Sequence, residues 1–149
     1  MTSKLVKPIE ILLIEDCEGD VRLTMEAMRE TRVRSRMSVV RDGEEALLYL
    51  YKKGRHAKAI TPNLILLDLN LPRRNGFEIL EQIKTDAKLR RVPVVILTTS
   101  QSEQDIIKSY DLSANAFVNK SIDLNQFIAC IKNIASFWLE SARLPSEGK

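Results

Sequence analysis

The sequence predicts a doubly wound α/β fold, in which helices cover both faces of a parallel sheet. Two unbroken apolar runs, residues 11–14 and 64–67, have the length and composition of strands that are buried on both faces. Strand candidates also alternate with segments of helical spacing along the whole chain. Because parallel strands joined by helices take right-handed crossovers, we expect one sheet of five strands flanked by five helices.

The strand candidates are short runs of apolar or β-branched residues between polar or turn residues. In chain order they are residues 9–14, 37–40, 64–67, 94–97 and 116–118. A segment with helical spacing follows each run. We therefore expect consecutive strands to run parallel, since a helix provides the crossover that a parallel pair requires.

Each helix candidate places apolar residues at helical spacing on one face. In chain order the candidates cover about residues 19–30 and 43–51, begin near Gly76, follow Ser102 and Glu103, and begin at Asp123. Their apolar residues are Val21, Leu23, Met25 and Met28; Ala46, Leu47 and Leu50; Phe77, Ile79, Leu80 and Ile83; Ile106, Ile107 and Tyr110; and Phe127, Ile128, Ile131, Ile134, Ala135 and Trp138. We expect Asp123 to cap the last helix, because its side chain can accept a backbone N–H there.

Composition indicates one domain, residues 1–149, with a core of about residues 9–139, a C-terminal tail at 140–149 and no output domain. With 149 residues, 44% hydrophobic and 29% charged, the chain can bury a sizeable core. We expect neither a secretion signal nor a membrane span. Two cysteines are too few for a disulfide framework and favour the cytoplasm. A net charge of +3 without a recognition motif gives no reason to expect nucleic acid.

Acidic residues follow the two fully apolar runs. Glu15 and Asp16 come directly after the first run, and Asp68 after the second. Ligands of such sheets bind outside the carboxyl ends of the strands. If the two strands are neighbours, three carboxylates meet, repel one another and require a cation, and oxygen ligands favour Mg²⁺ over zinc. The alternative is that each acid caps the following helix, although residues 69–72 after Asp68 do not begin a helix.

Two other strand candidates end in residues that can bind a phosphoryl group. Thr98 follows the fourth strand and can donate a hydrogen bond, while Lys120 follows the fifth and offers a point charge. Taken alone, each has a simpler reading, as a β-prone threonine at a strand end or an exposed lysine. At one sheet edge beside the carboxylates, both favour a phosphoryl-binding site.

These positions resemble the receiver domain of two-component response regulators. The resemblance is carried by Glu15 and Asp16, by Asp68, Thr98 and Lys120, and by Phe117 three residues before the lysine. Segments 63–72, 94–100, 136–140 and 144–145 are similar to the single-domain regulators paired with phytochrome-type histidine kinases. The resemblance covers nearly the whole chain and implies a flavodoxin-like receiver fold with strand order 2-1-3-4-5.

The resemblance implies a phosphoacceptor that catalyses only its own phosphorylation and dephosphorylation. Asp68 would accept a phosphoryl group from a phosphohistidine of the kinase, forming an aspartyl phosphate. Mg²⁺ would be held by Asp16, Asp68 and the backbone carbonyl of Asn70, with Glu15 acting mainly through water.

The resemblance also implies a switch. Lys120 would pair with one phosphoryl oxygen, Thr98 would move to bond another, and Phe117 would turn inward into the vacated space. The output would be a population shift at the surface built from the fourth helix, fifth strand and fifth helix. Without the resemblance, Phe117 could equally be an ordinary core residue.

Three positions depart from the family pattern. Ser121 stands where the family commonly has proline after the lysine, so a cis peptide bond there is not assumed. Thr99 replaces a small residue and could narrow access to the phosphoryl group. Glu15 replaces an aspartate and lengthens the reach to the metal. These differences affect expected rates and leave the reaction class unchanged.

Other functional classes remain open. A phosphohydrolase of the haloacid-dehalogenase type would carry an acid two residues after its nucleophile, where this chain has Asn70. A flavin or nucleotide binder would need a glycine-rich loop where residues 15–19 are acidic. A phosphorylation-independent adapter with a receiver fold is the remaining alternative.

The last helix ends in two adjacent aromatic residues, Phe137 and Trp138. Adjacent residues point to different sides of a helix, so the core can readily take only one. We hypothesise that the other, with residues 139–145, packs against a partner or a second copy in a homodimer. The alternative is a tail folded back on its own domain.

Overall fold

Five parallel strands form the central sheet in the computed structural model of the chain, which describes residues 7–145. They are β1 (Ile9–Ile14), β2 (Ser35–Val40), β3 (Leu64–Leu67), β4 (Val94–Thr98) and β5 (Ala116–Asn119). Their order in the sheet is β2-β1-β3-β4-β5, with every neighbouring pair parallel. The predicted fold class and strand order are confirmed. The winding reverses between β1 and β3, where ligands of such sheets bind.

All five predicted helices are present. They are α1 (Glu18–Arg29), α2 (Gly43–Leu50), α3 (Gly76–Thr85), α4 (Glu103–Asp111) and α5 (Leu124–Ala135). Short 3-10 turns lie at Gly54–His56 and Leu89–Arg91, and α5 continues into a π-helical segment, Ser136–Ser141. Asp123 caps α5 as expected, because its side chain accepts a hydrogen bond from the backbone N of Gln126.

The strand ends differ slightly from the prediction. β2 begins two positions earlier than predicted, because polar Ser35 and Arg36 pair with Ile9 and Glu10. β2 is an edge strand, where apolar patterning is weaker because one side of the strand is unpaired. β4 and β5 each extend by one residue, since Thr98 pairs with Asn119.

The core consists of two apolar clusters, one on each face of the sheet. Leu12 and Ile14 of β1 belong to the cluster that includes residues of α2 and α3. Ile11 and Leu13 belong to the cluster that includes residues of α1 and α5. This alternation follows from the two-residue period of a strand. Because both faces are covered, the strands read as continuous apolar runs, and the polar residues that matter lie just beyond their carboxyl ends.

The fourth helix is packed less deeply than its spacing suggested. Ile107 and Tyr110 of α4 are 52% and 50% exposed, and Ser109 is its buried residue. Leu124 at the start of α5 is 55% exposed. Apolar side chains are therefore exposed to solvent on the surface of α4, β5 and α5, for which the family resemblance implies a role in output.

Two leucines near the C-terminus, Leu139 and Leu144, contact the chain's own domain. Leu139 is 5% exposed within the cluster shared with α1 and α5, and Leu144 packs against the same cluster. Thr31 also donates a hydrogen bond of 2.8 Å to Glu140. These contacts favour the folded-back alternative for Leu139 and Leu144, and the homodimer stays a prediction. Residues 146–149 of the tail lie outside the described residues.

The two aromatic residues separate as predicted. Phe137 is 55% exposed, whereas Trp138 is half-buried against the α1 and α5 cluster. Their rings meet edge to face with centroids 5.1 Å apart.

Over residues 7–145, no helix combines the length and apolar composition that crossing a membrane requires.

Candidate functional site

Three acidic side chains converge where the winding of the sheet reverses. β1 and β3 are adjacent, with Ile14 opposite Leu67, so the residues that follow these two lie side by side. Glu15, Asp16 and Asp68 each place a carboxylate oxygen within 4.8 Å of the others. The sequence prediction that these acids meet at one sheet edge therefore agrees with the geometry. A set of oxygen ligands of this kind suits a hard divalent cation.

The three acids differ in burial and in their hydrogen bonds. Glu15 and Asp68 are 2% and 6% exposed, whereas Asp16 is exposed. Asp68 accepts a hydrogen bond of 3.2 Å from the backbone N of Asn70, and Glu15 accepts one of 3.2 Å from the backbone N of Cys17. Local backbone thus orients the two buried carboxylates, while Asp16 remains open to an incoming ligand.

The backbone of Asp68 is packed closely against the start of α3. A Cβ atom at Gly76 would lie 2.5 Å from the carbonyl oxygen of Asp68 and 2.6 Å from the Cα of Leu69. Glycine permits this approach because it has no side chain. The backbone N of Gly76 donates to the carbonyl oxygen of Leu69 at 2.8 Å. The segment after β3 is therefore held in place by α3, which fixes the position of Asp68.

Lys120 is buried among the acids. Its side chain is 5% exposed, and its Nζ donates hydrogen bonds to Glu15 at 2.6 Å, Asp20 at 2.8 Å and Asp68 at 3.3 Å. Burial alone would lower the pKa of Lys120, but the hydrogen bonds to Asp20 and Glu15 and the charge of Asp68 raise it above its usual value. The lysine is therefore a fixed positive charge within reach of the Asp68 carboxylate.

Asp20 belongs to this cluster, and the sequence analysis missed it. It lies in the first turn of α1 and was assigned no role, because only the apolar residues of that helix were considered. A signal was available: Asp20 lies four residues after Asp16, one helical turn beyond the sheet edge where the acids meet. Its side chain is 28% exposed, so it lies at the border between the site and solvent.

Glu15 carries a strongly shifted pKa. Burial raises the pKa of its carboxyl group to about 7; the hydrogen bond from Lys120 opposes this shift, and the negative charge of Asp68 adds to it. Excess negative charge adds to the effect of burial, since a single ammonium group serves three carboxylates. A bound cation would relieve the same repulsion.

Thr98 and Phe117 lie on the strands beyond β3. Thr98 ends β4, is fully buried, and accepts a hydrogen bond of 3.4 Å from the backbone N of Ser100. Phe117 of β5 is half-buried against the α2 and α3 cluster, and its backbone N donates to the hydroxyl of Tyr110 at 3.1 Å. Thr98 lies at the same sheet edge as the acids, since its carbonyl oxygen accepts a hydrogen bond of 2.7 Å from the backbone N of Lys120.

The structure also describes the departures from the family pattern. The Lys120–Ser121 peptide bond is trans. Thr99 is exposed, whereas Thr98 beside it is fully buried. Glu15, in contrast, reaches Lys120 rather than solvent. Its greater length is thus used in an ion pair with the lysine.

Comparison with known proteins identifies the family that the sequence matches. The family model described as the response regulator receiver domain matches residues 11–132. Response regulator Rcp1 of Synechocystis sp. is 41% identical over 146 residues, which cover 98% of this chain and 99% of Rcp1.

Solved structures agree with this match. A crystal structure of the Mn²⁺-bound form of Rcp1 has a TM-score of 0.91 at 42% identity and covers 93% of this chain and 100% of that one. The crystal structure of the phosphorylated cyanobacterial phytochrome response regulator RcpA has a TM-score of 0.91 at 47% identity, covering 94% and 100%. The fold and nearly the full length of the chain are thus shared with these proteins.

Proposed function

This chain belongs to the response regulator receiver domain family and is homologous to the phytochrome response regulators, and from that premise we propose that Asp68 is its phosphoacceptor. One observation carries the proposal. Carboxylate oxygens of Glu15, Asp16 and Asp68 lie within 4.8 Å of one another, with the Nζ of Lys120 3.3 Å from Asp68. An acid held between a potential metal site and a fixed ammonium group is suited to phosphoryl chemistry.

The proposed reaction is an in-line displacement at phosphorus. A carboxylate oxygen of Asp68 attacks the phosphorus of a phosphohistidine on a histidine kinase, and the bond between phosphorus and the imidazole nitrogen breaks. The electron pair stays on the imidazole, and an aspartyl phosphate forms. Lys120 pairs with one phosphoryl oxygen, and Thr98 donates a hydrogen bond to another. Burial of Asp68 keeps bulk water away from the new acyl phosphate.

We assign the metal site to Asp16, Asp68 and the backbone carbonyl of Asn70. When bound there, Mg²⁺ would neutralise charge on the phosphoryl oxygens. The donors fit a hard cation, since the carboxylates of Glu15, Asp16 and Asp68 supply only oxygen. Glu15 is already hydrogen-bonded to Lys120 at 2.6 Å, which supports a role through water rather than as a direct ligand. The Mn²⁺-bound form of Rcp1 supports a divalent metal in this family.

We propose a phytochrome-type histidine kinase as the donor, because the similarity to Rcp1 and RcpA spans nearly the full length of both chains. The readout would be the surface of α4, β5 and α5, where Ile107, Tyr110 and Leu124 are half exposed or more. Thr98 and Phe117 would connect this surface to the phosphoryl group. Phe137, which is 55% exposed, remains the candidate contact for a homodimer.

Phosphotransfer from a panel of autophosphorylated histidine kinases, phytochrome types included, tests the proposal. We expect label on wild-type protein only with Mg²⁺, fastest from one kinase, and none on Asp68→Asn. Asp111→Asn is the matched control, because Asp111 is an exposed aspartate at the last residue of α4. It should be labelled like wild type. No label from any kinase or small phosphodonor would make a phosphorylation-independent adapter the better description.

Measuring phosphate release from small phosphate esters separates a phosphoacceptor from a phosphohydrolase. A hydrolase of the haloacid-dehalogenase type needs an acid two residues after the nucleophile, and this position holds Asn70, whose backbone N donates to Asp68. We therefore expect each protein molecule to accept one phosphoryl group, with no steady release of phosphate. Continued release of phosphate from small phosphate esters, abolished in Asp68→Asn, would instead indicate multiple turnover.

A further inference from the structure

Lys120 makes a third ion pair, with Asp20, that the proposed phosphoryl site does not require. An ammonium group has three N–H donors, and here each has its own carboxylate acceptor. The distances are 2.6 Å to Glu15, 2.8 Å to Asp20 and 3.3 Å to Asp68. The longest contact is with the proposed phosphoacceptor. The lysine is thus held more closely by Glu15 and Asp20 than by Asp68.

The three acceptors would respond differently when the site is occupied. Glu15 and Asp68 belong to the group of acids that could hold a metal ion, together with Asp16. A cation bound by those acids would partly neutralise their negative charge and so weaken their attraction for Lys120. Asp20 lies outside that group, so its charge would remain fully available to the lysine.

We infer that Asp20 is a positioning residue that restrains Lys120 in the unphosphorylated protein and competes with the phosphoryl group for it. The inference rests on the proposed role of Asp68. When a phosphoryl oxygen arrives at Asp68, one lysine N–H must be redirected from a carboxylate to that oxygen. Asp20 is the acceptor that metal binding does not weaken. It therefore sets how readily the phosphorylated arrangement forms, and it ties α1 to the loop that carries Lys120.

Beryllofluoride, an analogue of the phosphoryl group, tests this at equilibrium and without hydrolysis. Its affinity, with saturating Mg²⁺, can be measured by fluorine NMR on wild type and on Asp20→Asn, which keeps the shape of the side chain and removes its charge. We expect Asp20→Asn to bind about fivefold tighter, as for the loss of one partly exposed ion pair. Asp20→Glu retains the charge and should return the affinity toward wild type.

Glu18→Gln is the matched control. Glu18 lies in the same turn of α1 and carries the same charge, but it pairs with Arg22 and Arg41 rather than with Lys120. Its affinity for beryllofluoride should equal that of wild type. A gain in Glu18→Gln as large as that in Asp20→Asn would mean a general effect of charge and would overturn the inference.

A double-mutant cycle identifies the lysine as the route. If Asp20 acts through Lys120, then Asp20→Asn should have no effect in a Lys120→Met background. An unchanged gain in that background, or an Asp20→Asn variant that binds like wild type or more weakly, would overturn the inference. Failure of wild type itself to bind, or equal binding by Asp68→Asn, would instead refute the proposed phosphoacceptor.

Discussion

Glu15 should make the stability of the metal-free protein fall as the pH rises toward neutrality. Burial is the main cause that raises the pKa of this carboxyl group from 4.5 to about 7 in the folded protein. A folded-state pKa above the unfolded value means that the folded protein binds more protons between these limits. The stability that protonated Glu15 contributes is therefore fully present below about pH 4.5 and is lost as the pH passes through about 7.

The size of the effect follows from the shift. The two pKa values, 4.5 and about 7, differ by about 2.5 units, and each unit corresponds to about 1.4 kcal/mol. Glu15 alone would then lower the free energy of unfolding by about 3 kcal/mol across this range.

Urea unfolding in EDTA at a series of pH values from 4.5 to 8 measures this slope, with wild type and Glu15→Gln compared at every pH. Glu15→Gln cannot titrate, so its stability should decline less with rising pH, and the difference between the two proteins isolates Glu15. Saturating Mg²⁺ should also flatten the wild-type curve by favouring the ionised acid. Parallel curves for wild type and Glu15→Gln in EDTA would refute the reasoning.

Four further substitutions test contacts that support the fold and the site. Gly76→Ala should destabilise the protein by about 1–3 kcal/mol and slow phosphorylation, because the new Cβ meets the backbone of Asp68. Gly19→Ala is the control: its new Cβ would have nothing within 4 Å, so the change should stabilise the protein by roughly 0.5–1 kcal/mol. Lys84→Met should cost about 1–3 kcal/mol in urea unfolding, since two backbone carbonyl oxygens lose the hydrogen bond that its Nζ donates. Asp123→Ala should lower the free energy of unfolding by about 1 kcal/mol through loss of the α5 cap, and an unchanged value would mean that solvent replaces it.

The sheet and its acidic edge could be predicted from the sequence because both follow from local pattern. Strands covered on both faces read as continuous apolar runs, and parallel strands present the residues after them at one edge. Glu15, Asp16 and Asp68 were found in this way. The first two residues of β2, Ser35 and Arg36, were not predicted, because they lie on an edge strand, where pairing does not require apolar side chains.

Asp20 could not be found by the same argument, because its role depends on how α1 packs across the sheet. Its side chain reaches Lys120 over a sequence separation of 100 residues.

The orientation of the C-terminal aromatic residues also depends on tertiary packing. The sequence indicated that Phe137 and Trp138 could not both enter the core, but the side of the helix that faces the domain is set by packing against α1.

The buried Lys120 determines the charge balance of the site. A lysine at 5% exposure would be costly to bury without partners, and here it has three carboxylates. Three negative charges exceed what one ammonium group can neutralise, so the metal-free site retains a negative excess. A proton on Glu15 and a cation among the acids are two ways to remove it. The negative excess thus adds to the effect of burial on the pKa of Glu15, and it also favours metal binding. Asp20 limits how far Lys120 is available to a phosphoryl group.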